Sequence, residues 1–179
     1  GDRNTAVGVA AGENVTTGND NVLIGYYAGA SITTSNYLLL IGKEAGNSFT
    51  GAGLTAVGYQ AAKSMVDGHS NTAFGYQALY SEVASDQSTA VGYQALYSQS
   101  GSTTTLGNTA VGNLAGYSTT TANRNTYVGK SAGYLVTTGQ QNTALGWNAL
   151  QTVTTGHSNT ALGQSAGSQV SGSSSTNTF

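Results

Sequence analysis

An apolar residue returns about every seventeen positions along this chain, each time inside a version of the same phrase. The phrase is NTAVGNLA at Asn108 to Ala115. It recurs as NTAVGVAA from Asn4, LTAVGYQA from Leu54, NTAFGYQA from Asn71, STAVGYQA from Ser88, NTALGWNA from Asn142 and NTALGQSA from Asn159. More divergent copies are NVLIGYYA from Asn21, LLLIGKEA from Leu38 and NTYVGKSA from Asn125. The glycines serve as markers: Gly8, Gly25, Gly42, Gly58, Gly75, Gly92, Gly112, Gly129, Gly146 and Gly163, at intervals of 17, 17, 16, 17, 17, 20, 17, 17 and 17. Three residues past every marker stands an alanine, from Ala11 to Ala166. Such a period is the signature of a repeat architecture.

A seventeen-residue unit is too short for helical-pair repeats, and its β-branched residues with glycine punctuation favour strand. The spacing predicts two short strands per copy. The first is the five residues ending at the marker, and the second is an extended piece around Val15, Ile32, Phe49, Val136, Val153 and Val170. The marker glycine permits a turn with positive φ, and a Thr-Thr-Gly ending, as at Thr17-Gly18, Thr138-Gly139 and Thr155-Gly156, supplies the other corner. The fold class expected is all-β: a parallel β-solenoid, or β-roll, of about ten coils, on the order of 50 Å long at about 4.8 Å per layer. The short interval falls at Thr50 to Gly53 and the long one at Gln99 to Gly107, both in the Thr-, Ser- and Gly-rich half. Length changes are tolerated on exposed loops, so that half is expected on the outside.

Alternation in the first strand puts Val7, Ile24, Ile41, Val57, Phe74, Val91, Val111, Val128, Leu145 and Leu162 on one face. Ala6, Leu23, Leu40, Ala56, Ala73, Ala90, Ala110, Tyr127, Ala144 and Ala161 fall on the other, and neither face carries a charge. A strand apolar on both sides is most simply buried on both. One side would meet its own coil and the other a neighbour, and since a thin coil has little interior, a side-by-side homotrimer is the leading expectation. A single-chain solenoid or an end-to-end filament is the alternative.

Composition changes this picture by subtraction. Only 7% of the 179 residues are charged, against about 25% in ordinary domains, so Asn, Gln, Ser and Thr must cover the surface. A net charge of −2 with five basic residues (Arg3, Lys43, Lys63, Arg124, Lys130) leaves no footprint for nucleic acid. The longest apolar run, Tyr37 to Ile41, is five residues, far from the roughly 20 of a membrane helix, so the chain is not expected to be membrane-embedded. Cysteine is absent, which removes any disulfide framework. Residues 1–179 read as one repeat array without a capping element, and Thr176 to Phe179 looks like the opening of an eleventh copy. The array is expected to be a segment of a longer fibre.

NTAVGxxA followed by a small-residue loop resembles the head repeat of trimeric autotransporter adhesins of the YadA type, and the wording NTAVGYQA, at Thr55 to Ala61, Thr72 to Ala78 and Thr89 to Ala95, is similar to repeats of phage tail-fibre proteins. The resemblance covers essentially the whole chain. It implies a left-handed parallel β-roll with three chains packed side by side. The adhesin repeat is somewhat shorter, which implies an enlarged outer corner here. No stretch resembles that family's neck, coiled-coil stalk or membrane-anchor barrel, so the resemblance implies only a head-like rod.

Candidate chemistry is sparse. The nearest approach to an acidic cluster is Asp67, Glu82 and Asp86 on the loop halves of neighbouring copies, which read as solvated charges rather than a cation site or a glycosidase pair. His69 and His157 sit in matching Gly-His-Ser-Asn turns and read as polar corners, since no second metal ligand recurs. Asn4, Asn21, Asn71, Asn108, Asn125, Asn142 and Asn159 form an expected column of amides bonding to one another or to a corner backbone. Asn14-Val15-Thr16 is a glycosylation sequon.

Aromatic residues are the better candidates. Tyr26, Tyr59, Tyr76, Tyr93 and Trp147 follow the marker directly, and Tyr80, Tyr97, Tyr117 and Tyr134 lie five residues past it. Two columns are therefore expected, either stacking on sugars or covering adjacent coils and an inter-chain seam. No catalytic residue, cofactor site or metal site is assigned, and no enzymatic activity is expected. The leading function is a structural or adhesive fibre segment, extracellular, at a cell surface or on a virion, with a cell-surface glycan as candidate partner. An ice-binding face built from Thr16, Thr33, Thr120, Thr137 and Thr154 with Thr17, Thr34, Thr121, Thr138 and Thr155 is the alternative, interrupted by Lys63, Asp67, Glu82 and Asp86. A polysaccharide depolymerase ranks third.

Overall fold

A computed structural model describes residues 1–101, 106–170 and 172–179. The ten copies of the phrase become ten strands of three residues. They are β1 (Thr5–Val7), β2 (Val22–Ile24), β3 (Leu39–Ile41), β4 (Thr55–Val57), β5 (Thr72–Phe74), β6 (Thr89–Val91), β7 (Thr109–Val111), β8 (Thr126–Val128), β9 (Thr143–Leu145) and β10 (Thr160–Leu162). They form one sheet in the order β1 to β10, with neighbours parallel throughout. A parallel neighbour one repeat away requires a full circuit of chain, and the architecture is a β-solenoid of about nine turns.

Register survives both irregular intervals. Leu39 pairs with Thr55 across the short one and Thr89 with Thr109 across the long one. The length changes are therefore absorbed outside the strands, as their composition predicts; residues 102–105 of the long interval lie outside the described residues.

The predicted second strand is not there. Among the described residues each coil carries one strand, and the chain around Val15, Ile32 and Phe49 turns instead. The reason is local: the amide of Val15 bonds back to Gly12 O at 3.0 Å, Phe49 to Gly46 O at 3.1 Å and Gln99 to Leu96 O at 3.2 Å. An amide spent on its own coil cannot join an inter-coil ladder. Just beyond, in the Thr-Thr-Gly corner, the amides of Thr16, Thr17 and Gly18 converge on the single carbonyl of Thr33 at 2.9, 3.2 and 3.3 Å.

Corners rest on left-handed backbone. In one coil Gln87, Gln94 and Leu96 have φ of 61°, 50° and 49°, and the pattern repeats from coil to coil. Each such residue costs on the order of 1–2 kcal/mol, so the stacked neighbours must hold it there. The marker glycines have φ near 130–140°, and a Cβ on Gly112 would lie 2.6 Å from the carbonyl oxygen of Gly129. Both conformation and stacking therefore require glycine at that point.

Leu23, Leu40 and Tyr127 point inward, with Ala56, Ala73, Ala90, Ala110, Ala144 and Ala161 beside them, so this strand face is the core. The seventh residue past each marker points inward too: Ile32, Phe49, Met65, Val136 and Val153 are fully buried. The expectation of little interior is thus corrected, because a continuous core runs the length of the rod.

Volume is traded between two positions in six of the ten coils. Where the strand contributes Leu23, Leu40 or Tyr127, the fourth residue past the marker is Gly29, Gly46 or Gly133; where it contributes Ala73, Ala90 or Ala144, that residue is Leu79, Leu96 or Leu150. A Cβ on Gly29 would come within 3.0 Å of Leu40 Cδ1 and 3.2 Å of Leu23 Cδ2. In these six coils one large side chain fills the layer, whichever position supplies it, whereas Ala6 with Gly12, Ala56 with Ala62, Ala110 with Gly116 and Ala161 with Gly167 leave both positions small.

Candidate functional site

The second predicted aromatic column stacks along its whole length and the first in its middle three members. Tyr59, Tyr76 and Tyr93 stack with ring centroids 5.1 Å apart and planes within 15°. Tyr80, Tyr97, Tyr117 and Tyr134 stack at 5.1, 5.2 and 5.3 Å, within 10°. The parallel in-register sheet dictates this: equivalent residues lie one layer apart, and a planar ring fills the layer spacing. Tyr26 stands outside the stack, edge-on to Tyr27 at 4.5 Å, and Lys43 lies between Tyr26 and Tyr59, 5.6 and 5.8 Å from their centroids. Trp147 is exposed beyond the upper end of the first column.

A ladder of amides runs alongside. Gln94 Nε2 donates to Gln77 Oε1 at 2.9 Å, Gln77 to Gln60 at 2.8 Å, and Gln60 to Glu44 Oε2 at 2.8 Å. Glu44 also pairs with Lys63 at 2.7 Å. Hydrogen bonds from Lys63 and then Gln60 hold the Glu44 carboxyl below its usual value, and the bond to Glu44 raises Lys63, with the phenols of Tyr80 and Tyr59 adding to it. Tyr97 is raised first by burial and then by the phenols of Tyr80, Tyr117 and Tyr76. Tyr76 belongs to the other column, so the two columns are neighbours on one surface.

The outer strand face is uncharged and open in the isolated chain. Val7, Phe74, Val111, Leu145 and Leu162 are 58, 53, 37, 43 and 68% exposed. They form a row along the sheet, on the other side of the marker glycine from the tyrosines.

The asparagine column acts twice per coil. Asn108, Asn125 and Asn142 each accept from the main-chain amide of the next asparagine, at 3.0, 2.8 and 2.9 Å. Each also donates to the carbonyl that closes its own corner, Ala122, Gly139 and Gly156, at 2.7, 2.9 and 2.8 Å. The histidines are corner groups in one register: His69 N–H donates to Asp86 Oδ1 at 2.7 Å, and His157 Nδ1 accepts from Gln140 N–H at 3.0 Å. The hydroxyls of Thr16, Thr120, Thr137 and Thr154 donate to carbonyls of the next coil at 3.1, 3.0, 3.2 and 2.9 Å. Asn14 is exposed, with its amide donating to Ala30 O at 2.7 Å. Among the described residues no group of three or more His, Asp and Glu is placed to hold a metal ion.

Glu82 departs from its reading as a solvated loop charge: it is fully buried. Oε1 accepts from the amides of Val83, Ala84 and Ser85 at 2.8, 3.0 and 2.9 Å, and Oε2 accepts from Gln99 Nε2 at 2.8 Å. Gln99 also donates to the hydroxyls of Ser85 and Ser88 at 3.0 and 2.9 Å, and its Oε1 accepts from Asn108 Nδ2 at 3.0 Å. Where Thr16, Thr17 and Gly18 aim three amides at a carbonyl of the coil above, this coil aims them at its own carboxylate, with the Ala84 amide shared with Gly101 O at 3.2 Å. The coil above is the long one. Asp67 and Asp86 remain at the surface, so the three acids do not converge.

Further along the rod, the hydroxyls of Thr119 and Tyr127 are buried with no hydrogen-bond partner of standard geometry among the described residues, and burial pushes the Tyr127 phenol far above its usual value. Compared with protein-family models, curated proteins and solved structures, the chain gives no match.

Proposed function

We propose that the chain is a segment of a structural and adhesive fibre, a tail fibre or an adhesin head, displayed outside the cell on a cell surface or a virion. Three copies pack side by side along their outer strand faces, as a left-handed roll of the kind its repeats resemble. The observation that carries this reading is the uncharged row of Val7, Phe74, Val111, Leu145 and Leu162, open to solvent along the rod. With the half-buried Ile24, Ile41, Val57, Val91 and Val128 between them they make one apolar row, a liability for a lone soluble chain and a ready seam for identical copies. Stacked tyrosines and low charge suit the remaining surface to contact with neutral surface glycans.

The reading is non-enzymatic: Glu82 is spent inside the core, and the histidines serve corners. Immunogold labelling of the source cells or particles with antibody against the chain tests it. Label on thin surface projections is expected, and label confined to the interior would overturn it.

A further inference from the structure

We infer that the paired tyrosine columns bind an extended, neutral polysaccharide chain lying parallel to the rod axis, held through the row of phenol hydroxyls rather than through ring faces. This rests on the glycan-binding part of the proposed function and gives it a ligand class and a direction.

Only part of each ring is free to meet a ligand. A sugar that stacks on an aromatic side chain needs an open face. Within the four-ring column each interior ring has another ring on both sides at 5.1–5.3 Å, nearly parallel, so those faces are closed. Tyr76 is closed in the same way by Tyr59 and Tyr93. What a ligand meets is a row of ring edges and hydroxyls, each able to donate and to accept one hydrogen bond or more.

That row has a fixed period of one coil, comparable with the axial advance of one pyranose in an extended chain. A linear polysaccharide along the rod can therefore repeat one contact at every coil, whereas a branched or compact glycan cannot. The serines next to the second column, Ser81, Ser98 and Ser118, keep the same register and add a parallel line of hydroxyls. The Gln60–Gln77–Gln94 ladder supports the first column without competing for ligand, because its amides are engaged with one another.

Charge selects the class. From the marker to the sixth residue beyond it, the coils of Gly75, Gly92 and Gly112 carry no charged side chain, and the coil of Gly129 carries only Lys130. Lys63, at the lower end, is paired with Glu44. A polyanionic glycan would find Lys130 at the upper margin and Lys43, already set against the rings of Tyr26 and Tyr59, at the lower one; a neutral one pays no desolvation of buried charge.

The test measures binding of neutral linear oligosaccharides (cello-, xylo-, manno- and chito-series, disaccharide to hexasaccharide) to the full chain by calorimetry. The variant Tyr80→Phe/Tyr97→Phe/Tyr117→Phe/Tyr134→Phe keeps every stacked ring and removes only the four hydroxyls of these half-buried side chains. Affinity for at least one series is expected to rise with length and to fall about tenfold or more in the Phe variant. Equal binding by wild type and Phe variant would overturn the hydroxyl-row inference while leaving glycan binding in place. Absence of binding by the wild type across all series would overturn the glycan-binding reading itself. Preference for a sulfated or uronic oligosaccharide over the neutral series would overturn the ligand class.

Discussion

Glu82 and Gln99 face each other in the centre of the rod, Oε2 to Nε2 at 2.8 Å, at the inward position where the coil below carries Met65 and the coil above carries Thr119. The directions of the bonds to Glu82 Oε1 and from Asn108 are fixed. The three amides that Glu82 Oε1 accepts can only donate, and Asn108 Nδ2 donates to Gln99 from the other side. Gln99 therefore cannot flip to offer Glu82 its oxygen without opposing two donors.

Glu82→Gln places a second amide donor against Gln99 Nε2 in a dry interior. It is expected to cost about 2–3 kcal/mol by chemical denaturation, the price of a buried unsatisfied group. Glu82→Gln/Gln99→Glu restores one acceptor to each donor and is expected to recover most of that loss. Additive losses in the double variant would contradict the network.

Tyr127 and Gly133 give a second test. A Cβ on Gly133 would collide with the Tyr127 ring, whose Cγ would be 2.9 Å away. Tyr127→Ala should destabilise by about 3–5 kcal/mol through the cavity it leaves. Tyr127→Ala/Gly133→Leu converts the coil to the pattern of Ala144 with Leu150, whose backbone already holds Leu at φ 49°. It is expected to regain about half of the loss, whereas Gly133→Leu alone should be worse than wild type.

The marker glycines separate conformation from stacking. Gly75 and Gly163 have φ of 142° and 128°, yet a Cβ on Gly75 meets the backbone of Gly92 while one on Gly163 meets nothing within 4 Å. Both Ala variants carry the conformational cost, of order 1–3 kcal/mol. Gly75→Ala is expected to exceed Gly163→Ala by at least about 1 kcal/mol in thermal or chemical melts.

For the Glu44–Lys63 pair the sign of the pH effect follows from the two shifts. Glu44 is lowered, so its contribution is present above its unfolded value and is lost as pH falls through the folded one. Lys63 is raised, so its contribution is present below its unfolded value and is lost as pH rises through the folded one. With both side chains partly exposed, the pair stabilises by at most about 1 kcal/mol. Lys63→Met should flatten the acid limb of stability between the unfolded and folded values of Glu44, measured by denaturation over a pH series.

Much of the fold is legible in the sequence because the repeat exposes register. Asn108, Thr109, Ala110, Val111 and Gly112 have counterparts with the same task in most copies, so period, strand, corner glycine and inward alanine follow from alignment of the chain with itself. The tyrosine columns follow by the same logic, since in-register layers bring Tyr80, Tyr97, Tyr117 and Tyr134 together.

What composition hides is what one position does to another. The pieces around Val15 and Phe49 have strand-like residues, but the turn just before them takes their amides. Glu82 resembles a solvated acid when read beside Asp86; read in register with Ile32, Phe49 and Met65, it stands in a buried column. The exchange of Tyr127–Gly133 for Ala144–Leu150 shows only when two positions of one coil are compared. In each case the missing signal lay in the repeat register.

The side-by-side packing of three chains is tested most directly by sedimentation equilibrium, on the wild type and on Phe74→Lys/Leu145→Lys. The account expects a wild-type mass three times the 18.0 kDa chain, and a folded monomer when the strand face is charged. A monomeric wild type, an open-ended concentration-dependent series of end-to-end species, or a variant that still trimerises would contradict it.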